Sequence, residues 1–237
     1  MELNKIYLGD AYELIKQVPD HSIDLIYTDI PYLLEDGGMS PTKLGQRLVK
    51  KRKELKPIMD GIDYSIFDEF ARVCKGIYVY IWCSTQQMPD IMNYFVKEKK
   101  CRMNVLTWCK TNPAPMTNGM WLPDTEYCLL FKEKGTPRYN DGYDLKHKWY
   151  VSGANKEDKD NFIHPTIKPL ELVKKHLKHS SNEGDVILDP FAGSGTTLKA
   201  AKDLNRQYIG FEIDEQYYKI AKDRLENINA MGEVSLF

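Results

Sequence analysis

No apolar run in this 237-residue chain approaches the ~18 residues that a helix needs to cross a bilayer. The opening stretch Met1–Lys5 also lacks the apolar core of a secretory leader, so neither secretion nor membrane insertion is expected. An excess of one charge is missing too. With 33 Lys and Arg against 34 Asp and Glu, the net charge is −1, which excludes a global polyanion-binding surface and leaves only local ones. The five cysteines (74, 83, 101, 109 and 128) contain no CxxC pair and no metal-ligand spacing. Their odd number and mostly apolar neighbours suit reduced, buried thiols of a cytoplasmic protein and exclude a disulfide scaffold. No metal site is expected, and no internal repeat is present. A chain of this length suits one α/β domain with insertions.

What is present is an alternation of short apolar segments with amphipathic ones. Strands are expected at Lys5–Leu8, Ile23–Tyr27, Gly76–Trp82, Met103–Trp108, Thr125–Phe131, Val186–Leu188 and Gln207–Phe211. Helices are expected at Tyr12–Gln17, Tyr64–Val73, Met88–Glu98 and Gln216–Asn229, and opening near Leu170 and at Thr196. This order implies a mostly parallel sheet covered on both faces, joined by right-handed crossovers. The Pro/Asn/Gly-rich link Asn112–Pro123 suits an antiparallel hairpin connection. Residues 33–60, with Gly37, Gly38, Pro41 and Gly45, read as a mobile basic loop. Residues 133–163 are polar and irregular, with Tyr139, Tyr143, Trp149 and Tyr150 set among charges, as in an exposed insertion or a loop.

Three strand ends carry chemistry. Val186–Leu188 stops at the acid of Asp189-Pro-Phe-Ala-Gly-Ser-Gly195, and a helix opens at Thr196. Gly193 and Gly195 are expected to let the backbone approach a ligand where a Cβ would clash, although a plain tight turn has the same local signature. At the carboxyl end of a sheet strand such a turn makes a nucleotide-type cofactor site. Glu212 ends the next strand, about the interval at which an acid meets ribose hydroxyls in a dinucleotide fold. The third glycine of G-x-G-x-x-G is missing, because that position holds Leu198. Its absence argues for a cofactor without a pyrophosphate, such as S-adenosylmethionine. Ile23–Tyr27 closes on Thr28-Asp-Ile-Pro-Tyr32, which fixes a carboxylate, a stiff proline and an aromatic ring at the strand's end. Just beyond, Lys43, Arg47, Lys50, Lys51, Arg52, Lys53 and Lys56 stand against the single acid Glu54, as either a solvated face or a phosphate-contacting one.

Asp189–Gly195 resembles the S-adenosylmethionine motif of amino-group DNA methyltransferases, and Asp29-Ile-Pro-Tyr32 resembles their DPPY catalytic motif. The catalytic motif comes first and the cofactor motif last, as in the permuted beta class, whose target-recognition region lies between them. Gly9–Ala11, Trp108–Asn112, Glu126–Lys132 and His164–Leu170 resemble further family segments in the same order, so the resemblance covers nearly the whole chain. It implies a Rossmann-like class I methyltransferase fold: α/β, with a mostly parallel seven-stranded sheet, an antiparallel hairpin, helices on both faces and a short target-recognition insertion. It implies a single domain over 1–237, with a catalytic half at 1–132, the insertion at about 133–163 and a cofactor-binding half at 164–232. By the same resemblance Asp189, Pro190, Phe191, Gly193, Ser194, Gly195 and Thr196 line the cofactor. Asp189 reaches its methionyl amino group and Glu212 its ribose. Asp10 with the Ala11 amide reads the adenine edge, and Thr166 and Lys168 close over the methionyl tail.

Asp29, Ile30, Pro31 and Tyr32 then act on the target base. Ile30 stands where the family commonly has proline, but the group that matters there is a backbone carbonyl, which isoleucine also offers. Asp29 and that carbonyl each accept an amino N–H, and Tyr32 stacks on a base taken out of the duplex. Neither a metal nor a covalent intermediate is required. Methylation at cytosine carbon-5, which uses a cysteine after proline, is excluded because no Pro-Cys dipeptide occurs. The partner implied is double-stranded DNA, contacted by Lys43, Arg47, Lys50, Lys51, Arg52, Lys53 and Lys110 and by Tyr139 and Tyr143. Relatives of this class are often dimers, which makes a homodimer an expectation, and a bacterial or phage-infected cytoplasm the expected location. An aspartate at the first motif position favours adenine N6 as the acceptor. Cytosine N4, or a non-catalytic methyltransferase-like DNA-binding subunit, are the alternatives.

Overall fold

The computed structural model describes residues 1–33, 61–113, 121–136, 142–153 and 167–226. In these, eight strands form one sheet: β1 (Lys5–Leu8), β2 (Leu25–Asp29), β3 (Tyr78–Cys83), β4 (Arg102–Lys110), β5 (Thr125–Lys132), β6 (Trp149–Ser152), β7 (Val186–Asp189) and β8 (Gln207–Glu212). Their spatial order is β1-β8-β7-β2-β3-β5-β4-β6. The first five neighbours run parallel, and β5 lies antiparallel between β3 and β4. The expected hairpin is therefore present, and the parallel part of the sheet is as wide as the alternating pattern required.

Both faces of the sheet are covered because its central strands are apolar at every position. Along β3 all six residues are buried, and alternate ones serve different cores. One face packs Val79 and Ile81 with Phe67, Phe70, Phe95 and Phe131. Helices α1 (Ala11–Leu14), α2 (Ile66–Val73) and α3 (Met88–Met92, continuing as a wider π-helical turn Asn93–Glu98) cover that side. The other face packs Tyr27, Tyr80 and Trp82 with Leu172, Leu177 and Leu198, from α4 (Leu170–Ser180), α5 (Thr196–Asp203) and, beside them, α6 (Glu215–Leu225). Each fully buried phenylalanine stabilises the fold by about 2–3 kcal/mol relative to exposure.

The seam between β2 and β7 positions the site. Leu25 pairs with Ile187 and Ile26 with Leu188, and Asp24 Oδ2 accepts from the Val186 amide at 2.9 Å across 162 residues of sequence. From this seam the chain leaves β2 toward β3 on one side and β7 toward β8 on the other. It is thus a topological switch point, and a crevice opens above the strands' carboxyl ends.

Two features depart from the expected picture. The sheet has eight strands, not seven, because the polar insertion contributes β6, paired parallel to β4 from Thr107↔Trp149 to Lys110↔Ser152. A four-residue edge strand flanked by charges has too little periodicity to stand out. Gly195 also has a role in the fold itself. It caps α5 at φ +76°, and a Cβ there would lie 2.9 Å from Ala221 Cβ on α6, so helix packing and backbone conformation demand it. The close helix–strand contact that a third motif glycine would supply comes from the other partner: Gly210 on β8 lies under the buried Leu198 of α5.

A Cβ on Gly210 would stand 2.4 Å from Leu198 Cδ1, with Cδ2 and Cγ also inside contact distance. Gly210→Ala is therefore expected to destabilise the fold by about 1–3 kcal/mol through overpacking, and Leu198→Ala by about 2–5 kcal/mol through a cavity. The double variant should lose clearly less than the sum, because the new methyl fills the cavity. Urea denaturation of the four proteins measures that coupling, and strict additivity would reject the proposed contact.

Candidate active site

The crevice is a cavity of about 440 Å³ with two chemically different ends. One end lies above β7 and β8. There Asp189 finishes its strand buried, accepting from the Phe191 amide at 3.2 Å, and has no ion-pair partner among the described residues. Burial pushes its carboxyl up to about 7. Glu212 is held by two backbone amides, Gly193 to Oε2 at 2.7 Å and Asp214 to Oε1 at 2.8 Å. Burial raises its pKa as well, against those hydrogen bonds. Gly193, at φ +50°, turns its amide onto Glu212, so this glycine does shape the cavity wall. Pro190, Phe191, Ser194 and Thr196 line the same end, and Gly195 does not. The hydroxyls of Ser194 and Thr196 receive the buried Arg224 guanidinium, at 3.4 and 2.8 Å, which ties the turn to α6. Asp10 caps α1 by accepting the Tyr12 amide at 2.8 Å, and with Ala11 it borders the cavity.

The other end lies above β2, β3 and β5. Asp29 closes β2 and pairs in register with Trp82. Ile30 buries its side chain in the first core and donates its amide to the Trp82 carbonyl at 3.3 Å, a bond proline could not make. The Pro31 carbonyl accepts Gln87 Nε2 at 2.9 Å, while Gln87 Oε1 accepts from the Ser84 amide and hydroxyl, both at 3.0 Å. This buried glutamine anchors the motif to the end of β3.

Lys168 sits at the centre of this end. Its ammonium donates to Asp29 Oδ2, to Glu126 Oε2 at 3.0 Å and to the Tyr32 hydroxyl at 3.3 Å, and it lies 5.2 Å from the Trp82 ring centroid. Burial opposes its charge, but Asp29 and Glu126 together hold its pKa above the ordinary lysine value. For Glu126 burial is likewise outweighed, here by Lys168 and Lys110, and the carboxyl falls to about 2. For Asp29 burial wins over Lys168 and the pKa rises. Asp29 Oδ1, out of contact with solvent, has no hydrogen-bond partner among the described residues.

The structure therefore gathers the two strand-end motifs into one cavity, together with Asp10, Ala11 and Lys168. Lys168 meets the catalytic end, on Asp29, where a place over the methionyl tail was expected. Lys110 points inward to Glu126 at 2.6 Å and over the Trp108 ring, so its charge is committed inside the protein instead of facing phosphates. Tyr143 is 77% exposed and meets only the His147 ring edge-on. Lys43, Arg47, Lys50, Lys51, Arg52, Lys53, Tyr139 and Thr166 lie outside the described residues. Glu126 and Gln87 escaped the motif reading. The glutamate lay within a family-like segment, and a lone acid in an apolar strand was the available signal.

Comparison with known proteins fits this layout. The pattern of the DNA methylase family, N6/N4 type, matches residues 23–223. The chain is 31% identical to Type II methyltransferase M2.DpnII of Streptococcus pneumoniae, over 95% of this chain and 91% of that one. It is 32% identical to Type II methyltransferase M2.LlaDCHI of Lactococcus lactis subsp. cremoris, over 92% and 87%. Among solved structures, the M1.HpyAVI–SAM complex superposes with a TM-score of 0.69 at 28% identity, covering 93% of this chain and 98% of that one.

The Asp189 end suits a cationic amino group, since a buried carboxylate without a counterion gains most from one. Pairing should return its pKa from about 7 toward the ordinary carboxylate range, so S-adenosylmethionine binding releases a proton below neutrality. Affinity should accordingly weaken as pH falls below about 7, approaching tenfold per pH unit. The same raised pKa makes the ionised acid a cost to the unliganded fold, as stability is lost when pH rises through about 7. Asp189→Asn should thus raise the melting temperature at alkaline pH while losing cofactor affinity and its pH dependence. Titration calorimetry in buffers of different ionisation enthalpy and thermal melts measure both, and pH-independent wild-type binding would contradict the assignment.

Proposed function

The chain belongs to the DNA methylase family, whose pattern matches residues 23–223, and on that premise we propose that it transfers a methyl group from S-adenosylmethionine to adenine N6 of a flipped base in double-stranded DNA. The observation that carries this reading is the Asp29 carboxylate, which closes β2 in the wall of the same cavity that Asp189 borders across the β2–β7 seam. A carboxylate in a largely desolvated cavity wall gains from donors that reach it, and an exocyclic amino group brings two.

Such an amino nitrogen is a poor nucleophile because its lone pair is delocalised into the ring. The Asp29 carboxylate accepts one N–H and the Ile30 carbonyl the other, which favours a pyramidal nitrogen and stabilises the positive charge that develops on it. When bound, S-adenosylmethionine supplies an electrophilic methyl group on its sulfonium. Asp189 would hold its amino group and Glu212 its ribose, and the β2–β7 seam keeps these residues next to Asp29. Tyr32 offers the ring face that replaces lost base stacking.

The division of labour follows the chain. Residues 1–132 hold the acceptor, 164–232 the cofactor, and the insertion at about 133–163, with the exposed Tyr143, reads DNA beside the basic loop at about 33–60. A second copy of the chain is the candidate for completing that surface. The setting is the cytoplasm of a bacterial or phage-infected cell, where the DNA substrate lies. Among the described residues no helix is long and apolar enough to cross a membrane.

Asp29→Ala should lower methyl transfer to DNA at least ~1,000-fold while leaving cofactor affinity within a few-fold. A tritiated-methyl assay and calorimetry test the two halves of that statement. Mass spectrometry of the digested product should show N6-methyladenine. N4-methylcytosine instead would reassign the acceptor, and a variant with full activity would remove Asp29 from the mechanism.

A further inference from the structure

The polar cluster at the catalytic end has an internal logic that shows when its donors and acceptors are counted. A lysine ammonium has three N–H donors. Those of Lys168 are all engaged, by Asp29 Oδ2, Glu126 Oε2 and the Tyr32 hydroxyl. None remains for a cofactor carboxylate. Glu126 is equally committed, with Oε1 on Lys110 and Oε2 on Lys168. Asp29, the remaining acid, is held through Oδ2 by Lys168, while its Oδ1 is turned out of reach of solvent. The four side chains come from the start of the Lys168 segment, from β5, from the end of β4 and from the end of β2, and their charges sum to zero.

We propose that Lys168 is a positioning residue for methyl transfer and not a cofactor ligand: anchored by Glu126, it holds Asp29 by one oxygen and so fixes the orientation of the carboxylate that receives the amino group of the target base. The inference rests on Asp29 being the amino-group acceptor. Glu126 is the fixed support of the device, itself braced by Lys110. A carboxylate free to rotate would present either oxygen, or neither, and would spend conformational entropy at each encounter. With Oδ2 clamped, the plane of the group is set before substrate arrives.

The electrostatic consequence can be measured. Asp29 is faced by Lys168 ahead of α4, by Glu126 and Cys128 on β5, by Cys83 on β3, by Asp189 on β7, and by Tyr27 and Tyr32 from its own strand and the loop after it. Lys168 is the cation among them, and it opposes both burial and Glu126 in keeping Asp29 ionised. Protonated Asp29 loses charge where positive charge must develop. The acidic limb of the transfer rate therefore reports on the clamp.

The experiment measures single-turnover methylation against pH, together with S-adenosylmethionine affinity, for wild type, Lys168→Met, Lys168→Arg and Glu126→Gln. Lys168→Met is expected to lose at least ~100-fold in rate at neutral pH, with its acidic limb moved to higher pH and cofactor affinity within about threefold of wild type. Lys168→Arg, which keeps the charge, should recover much of the rate. Glu126→Gln keeps the cation but removes the neighbouring negative charge, so its limb should move to lower pH. A Lys168→Met protein that binds cofactor poorly with an unmoved limb would overturn the proposal and make Lys168 a cofactor ligand. Should Lys168→Met fail to fold by thermal melt, an unmoved limb in Glu126→Gln would overturn it instead. Wild-type protein that labels no DNA would reject the methyltransferase reading beneath, an outcome distinct from an active wild type with unshifted variants.

Discussion

Strands from distant parts of the chain lie side by side where β2 pairs with β7, and neither half of the cavity is complete without that contact. Only two residue pairs, Leu25↔Ile187 and Ile26↔Leu188, define its register, reinforced by the reciprocal bonds between Asp24 and Val186. A one-residue slip would turn Asp29 to the opposite face of the sheet, away from Trp82 and Lys168. The register is protected because both strands are apolar on both faces, so any slip would also misplace buried side chains in the two cores. The chemistry of the site is thus inherited from the hydrophobic pattern of strands that carry no chemistry themselves.

Above that seam the cavity divides its electrostatics. At the cofactor end, Asp189 and Glu212 are carboxylates under desolvation strain, balanced only by backbone amides and neutral hydroxyls. At the catalytic end, two lysines and two carboxylates neutralise one another. The first end is built to receive positive charge, and the second to receive neutral N–H donors. On the proposed function, this difference in polarity would orient the two substrates within one cavity.

Much of this was legible in the sequence, because strand ends, proline and glycine signal locally. Asp29, Asp189 and Glu212 each follow an apolar run, and the parallel sheet follows from strand–helix alternation. What was not legible depends on contacts that local patterns do not encode. Lys168 and Lys110 look like any other basic residue near a strand end or helix start, and only tertiary pairing turns them onto Asp29 and Glu126. At Gly195 ligand approach and helix packing demand the same residue, and the contact with Ala221 is the part that no local pattern encodes. The missing third glycine is plain in the sequence at Leu198, yet the compensating Gly210 sits on the facing strand, where no motif points.

The parallel pairing of β6 with β4 has a consequence for how such a chain can diversify. The insertion that contains β6 joins the sheet at its outer edge, the farthest position from β7, β2 and the cavity between them. Lys175 of α4 grips the carbonyls of His147 and Trp149, at 2.8 and 3.0 Å, so the strand is fastened by main-chain atoms that any sequence supplies. Its outward residues, Trp149 and Val151, are exposed and bear little of the fold's weight. Residues on this margin can be exchanged wholesale while their attachment keeps its geometry, so new surfaces can be tried there without retuning the reaction centre.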